Sequence, residues 1–223
     1  GRFNSQPTMS AIHVPCGAVI SNELIDALPV ELVKFDNDQW NRQMVCIDAN
    51  GDFSFTHAEI GSQEIAQFFA SLGPGYPDGY TTEYNTNMDD FVRSASDALS
   101  SGIFITIDYG HTQEDYYHRD RITGTLQTYH SHQKAENPLL CPGEIDITSH
   151  VDFSRLQETA ENAGFHSPWL GSQSNYLTKH ARSWLLEMEQ NPQKADMEMI
   201  RQFQTLTHPS MLGTRFSVLE MLK

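Results

Sequence analysis

The strongest constraint in this sequence is a helix that passes directly into a buried strand. Residues 88–99 place Met88, Phe91, Val92, Ala95, Ala98 and Leu99 at the spacing of one helical face. Asn85 or Asn87 is available as the cap, and Ser100-Ser101-Gly102 ends the pattern. Ile103-Phe104-Ile105-Thr106-Ile107 follows, a near-continuous β-branched run of the kind found in a parallel strand covered on both faces. The run stops at Asp108-Tyr109-Gly110. A helix, a turn and such a strand in succession point to an α/β fold.

The rest of the chain supports this reading. Gly17-Ala18-Val19-Ile20-Ser21 is a second short buried-strand run, ending on the polar pair Asn22-Glu23. Residues 30–35, 40–47 and 53–56 read as a β-meander, separated by Asp36-Asn37-Asp38 and Asp48-Ala49-Asn50-Gly51, both good turn chemistry. A short helix is expected over 65–72, stopped by Gly73-Pro74-Gly75. Residues 111–144 lack periodicity and are rich in His, Tyr, Arg and Thr; so long a connection is usually functional. Amphipathic helices are expected at 152–163, 176–189 and 195–207, with strands at 165–170 and 215–222.

Among the 223 residues, 14 Lys and Arg stand against 29 Asp and Glu, a formal charge of −15. That argues against binding nucleic-acid phosphates or an anionic membrane, and suits a basic protein partner. Cys16, Cys46 and Cys141 are sparse, odd in number and in no CxxC, which points to a reducing compartment, either a bacterial cytoplasm or a mitochondrial matrix. No apolar run is long enough to span a membrane. The first Met is Met9, so any leader is expected to lie outside this sequence.

Four groupings can carry chemistry. In Asn22-Glu23-Leu24-Ile25-Asp26, two carboxylates and an amide gather beyond a strand end, where ligands of open α/β sheets bind. They can clamp a guanidinium or accept a proton, or they can simply cap a helix. Asp108-Tyr109-Gly110 is either a pocket rim or a strand stop. His111, His118, His130, His132 and His150 include one His-x-His pair, but no cysteine joins it and no HExxH spacing occurs. The fourth, from Pro142 through Asp146, Thr148 and His150 to Asp152, reads as a turn and a helix start. Gly73-Pro74-Gly75 follows a helix candidate, so it is no phosphate cradle, and no GxSxG appears.

In order along the chain, Gly17–Val30 with Asn22, Glu23 and Asp26, then Ile107-Asp108-Tyr109-Gly110, then Gly124-Thr125-Leu126 with Tyr129 and His132 resemble one family. The series continues with the 142–153 motif, with Gln173 and Leu177, and with Phe216-Ser217-Val218-Leu219. The resemblance is to the MidA-type, S-adenosylmethionine-dependent methyltransferases, which include the mitochondrial complex I assembly-factor methyltransferase. It implies a class I methyltransferase (Rossmann-like) fold whose seven strands run 3-2-1-4-5-7-6, with strand 7 antiparallel. Residues 18–21 become strand 4, 103–107 strand 5, 165–170 strand 6 and 215–222 strand 7. Residues 1–223 are then the C-terminal portion of one methyltransferase domain, with a β-meander insertion near 30–58 and a long loop insertion near 111–150. The family's glycine-rich loop and strands 1–3 have no counterpart before residue 17, so this stretch alone is expected to be poorly soluble and not to bind the cofactor.

The resemblance implies methyl transfer from S-adenosylmethionine to a protein arginine. Glu23 and Asp26 are then the catalytic candidates, and Asn22 the cofactor-binding one. Asp108, Tyr109, Tyr129, His132, Asp146 and His150 are the substrate-binding candidates. No metal is implied; the partner is a protein with a basic segment, and a homodimer is compatible. Two rival readings are an inactive assembly protein of the same fold and a metal-dependent hydrolase using His130, His132 and Asp146.

Overall fold

The computed structural model describes residues 6, 8–130, 133–135, 137–191, 193 and 196–223. The elements in chain order are β1 (Gly17–Asn22), β2 (Val30–Asp36), β3 (Gln39–Ile47), β4 (Phe53–Ala58), α1 (Gln63–Ser71), β5 (Thr81–Asn85), α2 (Met88–Ala98) and β6 (Gly102–Asp108). Then come β7 (Gly110–His111), α3 (Gln113–Tyr116), β8 (Gln127–His130), β9 (Gln133–Ala135), β10 (Asp146–Thr148), β11 (Val151–Asp152) and α4 (Phe153–Asn162). The chain ends with β12 (His166–Ser172), α5 (Gln173–His180), α6 (Arg182–Gln190), α7 (Met197–Thr207) and β13 (Ser217–Leu222). It divides into two compact units. No described helix is long and apolar enough to cross a membrane.

The first unit comprises Gly1–Leu24, Asp90–Gly110 and Arg155–Lys223. Its sheet runs β1-β6-β13-β12. β1 is parallel to β6, with Gly17 opposite Gly102 and Asn22 opposite Ile107, whereas β13 is antiparallel to both β6 and β12. This is the 4-5-7-6 half of the expected strand order, with the expected antiparallel strand. Gly102 makes the close start possible: at φ +141, a Cβ there would lie 1.9 Å from the Gly17 carbonyl oxygen. Phe104 is fully buried on β6, with the Phe91 and Phe165 rings 6.1 and 5.1 Å away. Lys223 ties the chain end down, donating to Ser96 Oγ at 2.5 Å and to the Ala163 carbonyl at 2.9 Å.

Two sequence expectations here are corrected. The single helix over 176–189 is two helices, α5 and α6, meeting at Ala181 (φ −83, ψ 2); the apolar spacing runs through the joint and nothing in the sequence marks it. The strand expected at 165–170 is β12, whose register shifts between His166 and Trp169. Pro168 has no N–H for the ladder, and Ser167 takes φ 54, so the pairing skips there.

The second unit comprises Ile25–Asp89 and His111–Ser154. Its antiparallel sheet runs β4-β3-β2-β5. The meander therefore has a fourth strand, β5, which the polar sequence Thr81-Thr82-Glu83-Tyr84-Asn85 does not announce. Period-two alternation puts Val33 and Tyr84 on the face packed with Ile65 and Phe69 of α1, and Tyr116 and Tyr117 complete that core. Trp40 lies 4.8 Å from the Phe69 ring. Burying Ile65 and Phe69 contributes roughly 1.5–3 kcal/mol each. Ser62 caps α1 by accepting from the Ile65 N–H at 3.3 Å. The stretch read as irregular over 111–144 contains α3, β8 and β9, and β10 just beyond it completes a small antiparallel sheet, β10-β8-β9.

Candidate functional site

In the first unit, the carboxyl ends of the parallel pair β1 and β6 bring four of the sequence candidates to one sheet edge. The Glu23 N–H donates to the Ile107 carbonyl at 3.0 Å, continuing the β1–β6 pairing past Asn22. Glu23 itself takes φ 48, a left-handed conformation that costs a residue with a Cβ roughly 1 kcal/mol. Such strain at a strand tip is characteristic of sites where a side chain must be aimed. Asn22 Nδ2 donates to Glu23 Oε1 at 3.2 Å, and both side chains are exposed. Behind them Ser21 and Thr106 share a buried hydroxyl–hydroxyl bond of 2.9 Å across the strand pair. Asp108 is fully buried and accepts the Tyr109 N–H at 2.9 Å. The Tyr109 ring lies 4.2 Å from that of Phe216. Chemically, this edge offers an exposed carboxylate that can orient a cation or accept a proton, beside an amide that can both donate and accept.

In the second unit, a buried polar network is built around Glu83 on β5. Its carboxylate accepts from Thr125 N–H at 3.0 Å, Leu126 N–H at 2.9 Å, Thr125 Oγ1 at 2.9 Å and the Tyr116 hydroxyl at 3.2 Å. Burial raises its pKa against the pull of those donors. Gly124 is what allows the approach: it has φ +68, and a Cβ there would meet Glu83 Oε1 at 2.3 Å. The loop over 124–126 is thus wrapped on one carboxylate.

The same loop leads to a histidine pair. The His150 N–H donates to Thr125 Oγ1 at 2.9 Å, and its Nδ1 lies 3.0 Å from His111 Nε2. Gln127 Nε2 lies 3.4 Å from His150 Nε2, and the Tyr129 hydroxyl donates to Gln127 Oε1 at 2.5 Å. With that hydroxyl fixing the amide, Gln127 donates to His150 Nε2, so the proton of His150 sits on Nδ1 and is donated to His111 Nε2. Burial depresses both imidazoles, with His111 and Arg121 adding to the effect at His150, whose pKa falls to about 4. The pair is neutral at physiological pH.

Of the sequence candidates, Asn22, Glu23, Asp108 and Tyr109 belong to the first unit. Asp26, Tyr129, Asp146 and His150 belong to the second. Asp26 is buried at 6% exposure, unlike Glu23, and its carbonyl accepts the Ser149 N–H at 2.9 Å. Tyr129 and Asp146 face each other across β8 and β10. His132 lies outside the described residues. His130 Nε2 is 3.7 Å from Glu144, and among the described residues no group of three or more His, Cys, Asp or Glu is placed to hold a metal ion. Sequence reasoning missed Glu83 and Gln127. The one signal available for β5 was Pro77-Asp78-Gly79, a turn signature just ahead of it.

Residues 6–171 match a family described as "Putative S-adenosyl-L-methionine-dependent methyltransferase". Among curated relatives, the protein arginine methyltransferase NDUFAF7 homolog, mitochondrial, of Drosophila melanogaster is 27% identical over 212 residues, covering 91% of this chain and 46% of the relative. Its namesake in Caenorhabditis elegans is 27% identical over 139 residues, covering 61% and 31%. The crystal structure of a COG1565 superfamily member from Burkholderia thailandensis bound to S-adenosyl-homocysteine is similar with a TM-score of 0.81 at 31% identity, over 95% of this chain and 54% of that one. A native COG1565 superfamily structure from the same organism gives 0.82 at 31%, over 95% and 56%. The chain thus spans about half the length of the relatives it matches, and the class I methyltransferase-like fold expected from its sequence is the one these neighbours share. The chain belongs to the MidA-type family of S-adenosylmethionine-dependent methyltransferases.

Proposed function

We propose that this chain serves S-adenosylmethionine-dependent methyl transfer to a protein arginine, with Glu23 as the catalytic carboxylate at the β1–β6 edge. The observation that carries the reading is the strained, exposed Glu23 beside Asn22, at the carboxyl end of a parallel strand pair in a chain of this family. The arginine target is suggested by the names of two relatives and by the acidic balance of this chain.

The donor set fits one end of the cofactor. An amide and a carboxylate on a backbone turned at φ 48 suit its polar, methyl-bearing side, with Asn22 the residue that would hold it. When bound, S-adenosylmethionine would supply an electrophilic methyl group on a sulfonium, and the carbon–sulfur bond would break with its electron pair leaving on the thioether S-adenosyl-homocysteine. A guanidinium is a poor nucleophile, since its charge is delocalised and its pKa exceeds about 12. Glu23 orients one guanidinium nitrogen by a charge-assisted hydrogen bond and accepts the proton that this nitrogen loses as its bond to the methyl carbon forms. Asn22 holds the Glu23 carboxylate in position. Glu23, which is exposed, is the proton acceptor here rather than the buried Asp26. Asp108 and Tyr109 shape the floor of the same edge. Three free cysteines, Cys16, Cys46 and Cys141, fit work in a reducing compartment, either bacterial cytoplasm or mitochondrial matrix.

The test is tritium transfer from methyl-labelled S-adenosylmethionine to matched peptides carrying one Arg or one Lys. It is run with the chain alone and with the chain joined to the part of the Burkholderia thailandensis relative that it does not match. Transfer to the Arg peptide, reduced at least a hundredfold by Glu23→Gln, is the expected result. Transfer to Lys alone, or unchanged rates in Glu23→Gln, would overturn it.

A further inference from the structure

In the second unit, the face of the meander opposite α1 has an apolar, open patch at its β3–β4 turn end. The register sets Val45 against Phe55 and Ile47 against Phe53, so these four side chains share one face across β3 and β4. They are 51%, 40%, 69% and 49% exposed in that order. Leu32 and Glu83 continue the same face through β2 and β5. There the small sheet of β8 and β9 leaves a cavity of about 610 Å³ with Leu32 and Phe55 on its floor and Leu126, Lys134 and Pro138 among its walls. A contiguous exposed apolar face that runs into a cavity marks an interaction site rather than ordinary surface. β4 is also an edge strand of its sheet, with main-chain groups open to an extended segment.

The charge distribution identifies the occupant. The second unit carries 18 Asp and Glu against 5 Lys and Arg, a net of −13, while the first carries 11 against 9, a net of −2. Nearly all of the chain's net negative charge therefore lies in the unit that carries this face. Asp52 and Glu59 bracket β4 at its two ends, both exposed and in no ion pair among the described residues. A second copy of the same acidic unit would meet like charge. The cavity itself holds a cation, Lys134, and the Glu83 carboxylate in its wall is already saturated with donors, so an apolar side chain suits the cavity better than a guanidinium does.

We propose that this face docks an extended basic segment of a protein partner, with one apolar anchor in the cavity beside Phe55 and flanking Arg or Lys residues along the acidic ends of β4. It deepens the methyl-transfer reading and rests on it only for what the docked segment is for; the docking itself needs no cofactor.

The probe is a fluorescent 12-residue peptide alternating Arg with Leu and Phe, alongside its Arg→Glu counterpart, followed by anisotropy on the 223-residue chain without S-adenosylmethionine. The cationic peptide binds, the acidic one does not, and raising salt weakens binding severalfold. Ile47→Ser with Phe55→Ser weakens it at least tenfold, and Asp52→Asn with Glu59→Gln at least threefold. All four positions are exposed, and an unchanged urea midpoint confirms that the variants are folded. Absent binding, equal binding of the acidic peptide, or unchanged affinity in both variants overturns the proposal. So does a dimer in sedimentation that Ile47→Ser with Phe55→Ser dissociates, since the face would then belong to a second copy. Because no methyl donor is present, loss of methyl transfer leaves this result intact, and the reverse holds too.

Discussion

Replacing Glu83 tests the physics of the second unit in detail. The carboxylate serves two backbone N–H groups and two hydroxyls. In Glu83→Ala the hydroxyls of Thr125 and Tyr116, already 3.3 Å apart, can satisfy each other. The N–H groups of Thr125 and Leu126 cannot, and each orphaned donor costs about 1–3 kcal/mol. Adding the void left by the lost side chain, the expected destabilisation is about 4 kcal/mol. Glu83→Gln keeps one oxygen for the N–H groups and turns an amide toward hydroxyls that can accept, so its cost is about 1 kcal/mol. The sign of the pH dependence follows from burial, which raises the pKa of Glu83 above its ordinary 4.5. The wild-type protein gains stability from this group below that value and loses it as pH rises through the raised folded pKa. Glu83→Gln therefore costs less at pH 8 than at pH 5. Urea unfolding followed by fluorescence measures both variants, with Trp40 reporting from within the second unit. An alanine variant no less stable than the glutamine one, or a glutamine penalty that grows with pH, would refute the account of this network.

Other outcomes follow from the same structure. Gly102→Ala should cost more than 3 kcal/mol by urea denaturation, since its Cβ would fall 1.9 Å from the Gly17 carbonyl oxygen; a cost below 1 kcal/mol would contradict the β1–β6 geometry. Glu23→Gly should leave stability unchanged or raise it by about 0.5 kcal/mol, because relief of the left-handed strain slightly exceeds the entropy that glycine adds to the unfolded chain. The same change should remove methyl transfer, and a large loss of stability would show that Glu23 is structural. His150, depressed to about 4 against an ordinary 6.5, supports a fold that is fully stable above pH 6.5 and weakens as pH falls through 4. About 3 kcal/mol before solvent screening becomes about 1–2 after it for a partly exposed ring. His150→Phe should flatten that part of the stability–pH curve, and an unchanged slope would exclude the His111–His150 pair as its source.

What was legible in the sequence was whatever depended on local pattern. β1, β6 and β13 show as apolar runs, although β1, read as a buried strand, leaves Ala18 exposed and Ile20 64% exposed; α2 shows because its one buried face repeats every 3.6 residues. β5 does not show, because three of its five residues are Thr or Glu and its burial is made tolerable by partners some 40 residues away at Thr125 and Leu126. Tertiary hydrogen bonds of that range leave no trace in local spacing. The edge candidates Asn22, Glu23, Asp108 and Tyr109 were readable because they end apolar runs. The imidazole pair was not, since 39 residues separate His111 from His150 and nothing between them encodes the contact.

The claim that the β1–β6 edge holds the methyl donor is tested most directly by hydrogen exchange with and without S-adenosyl-homocysteine, on the chain joined to the unmatched part of the Burkholderia thailandensis relative. The account predicts slowed exchange in peptides covering residues 17–24 and 103–110, including the Glu23 amide bonded to Ile107 and the Tyr109 amide bonded to Asp108. Ligand protection confined to other segments, with these two unchanged, would contradict it.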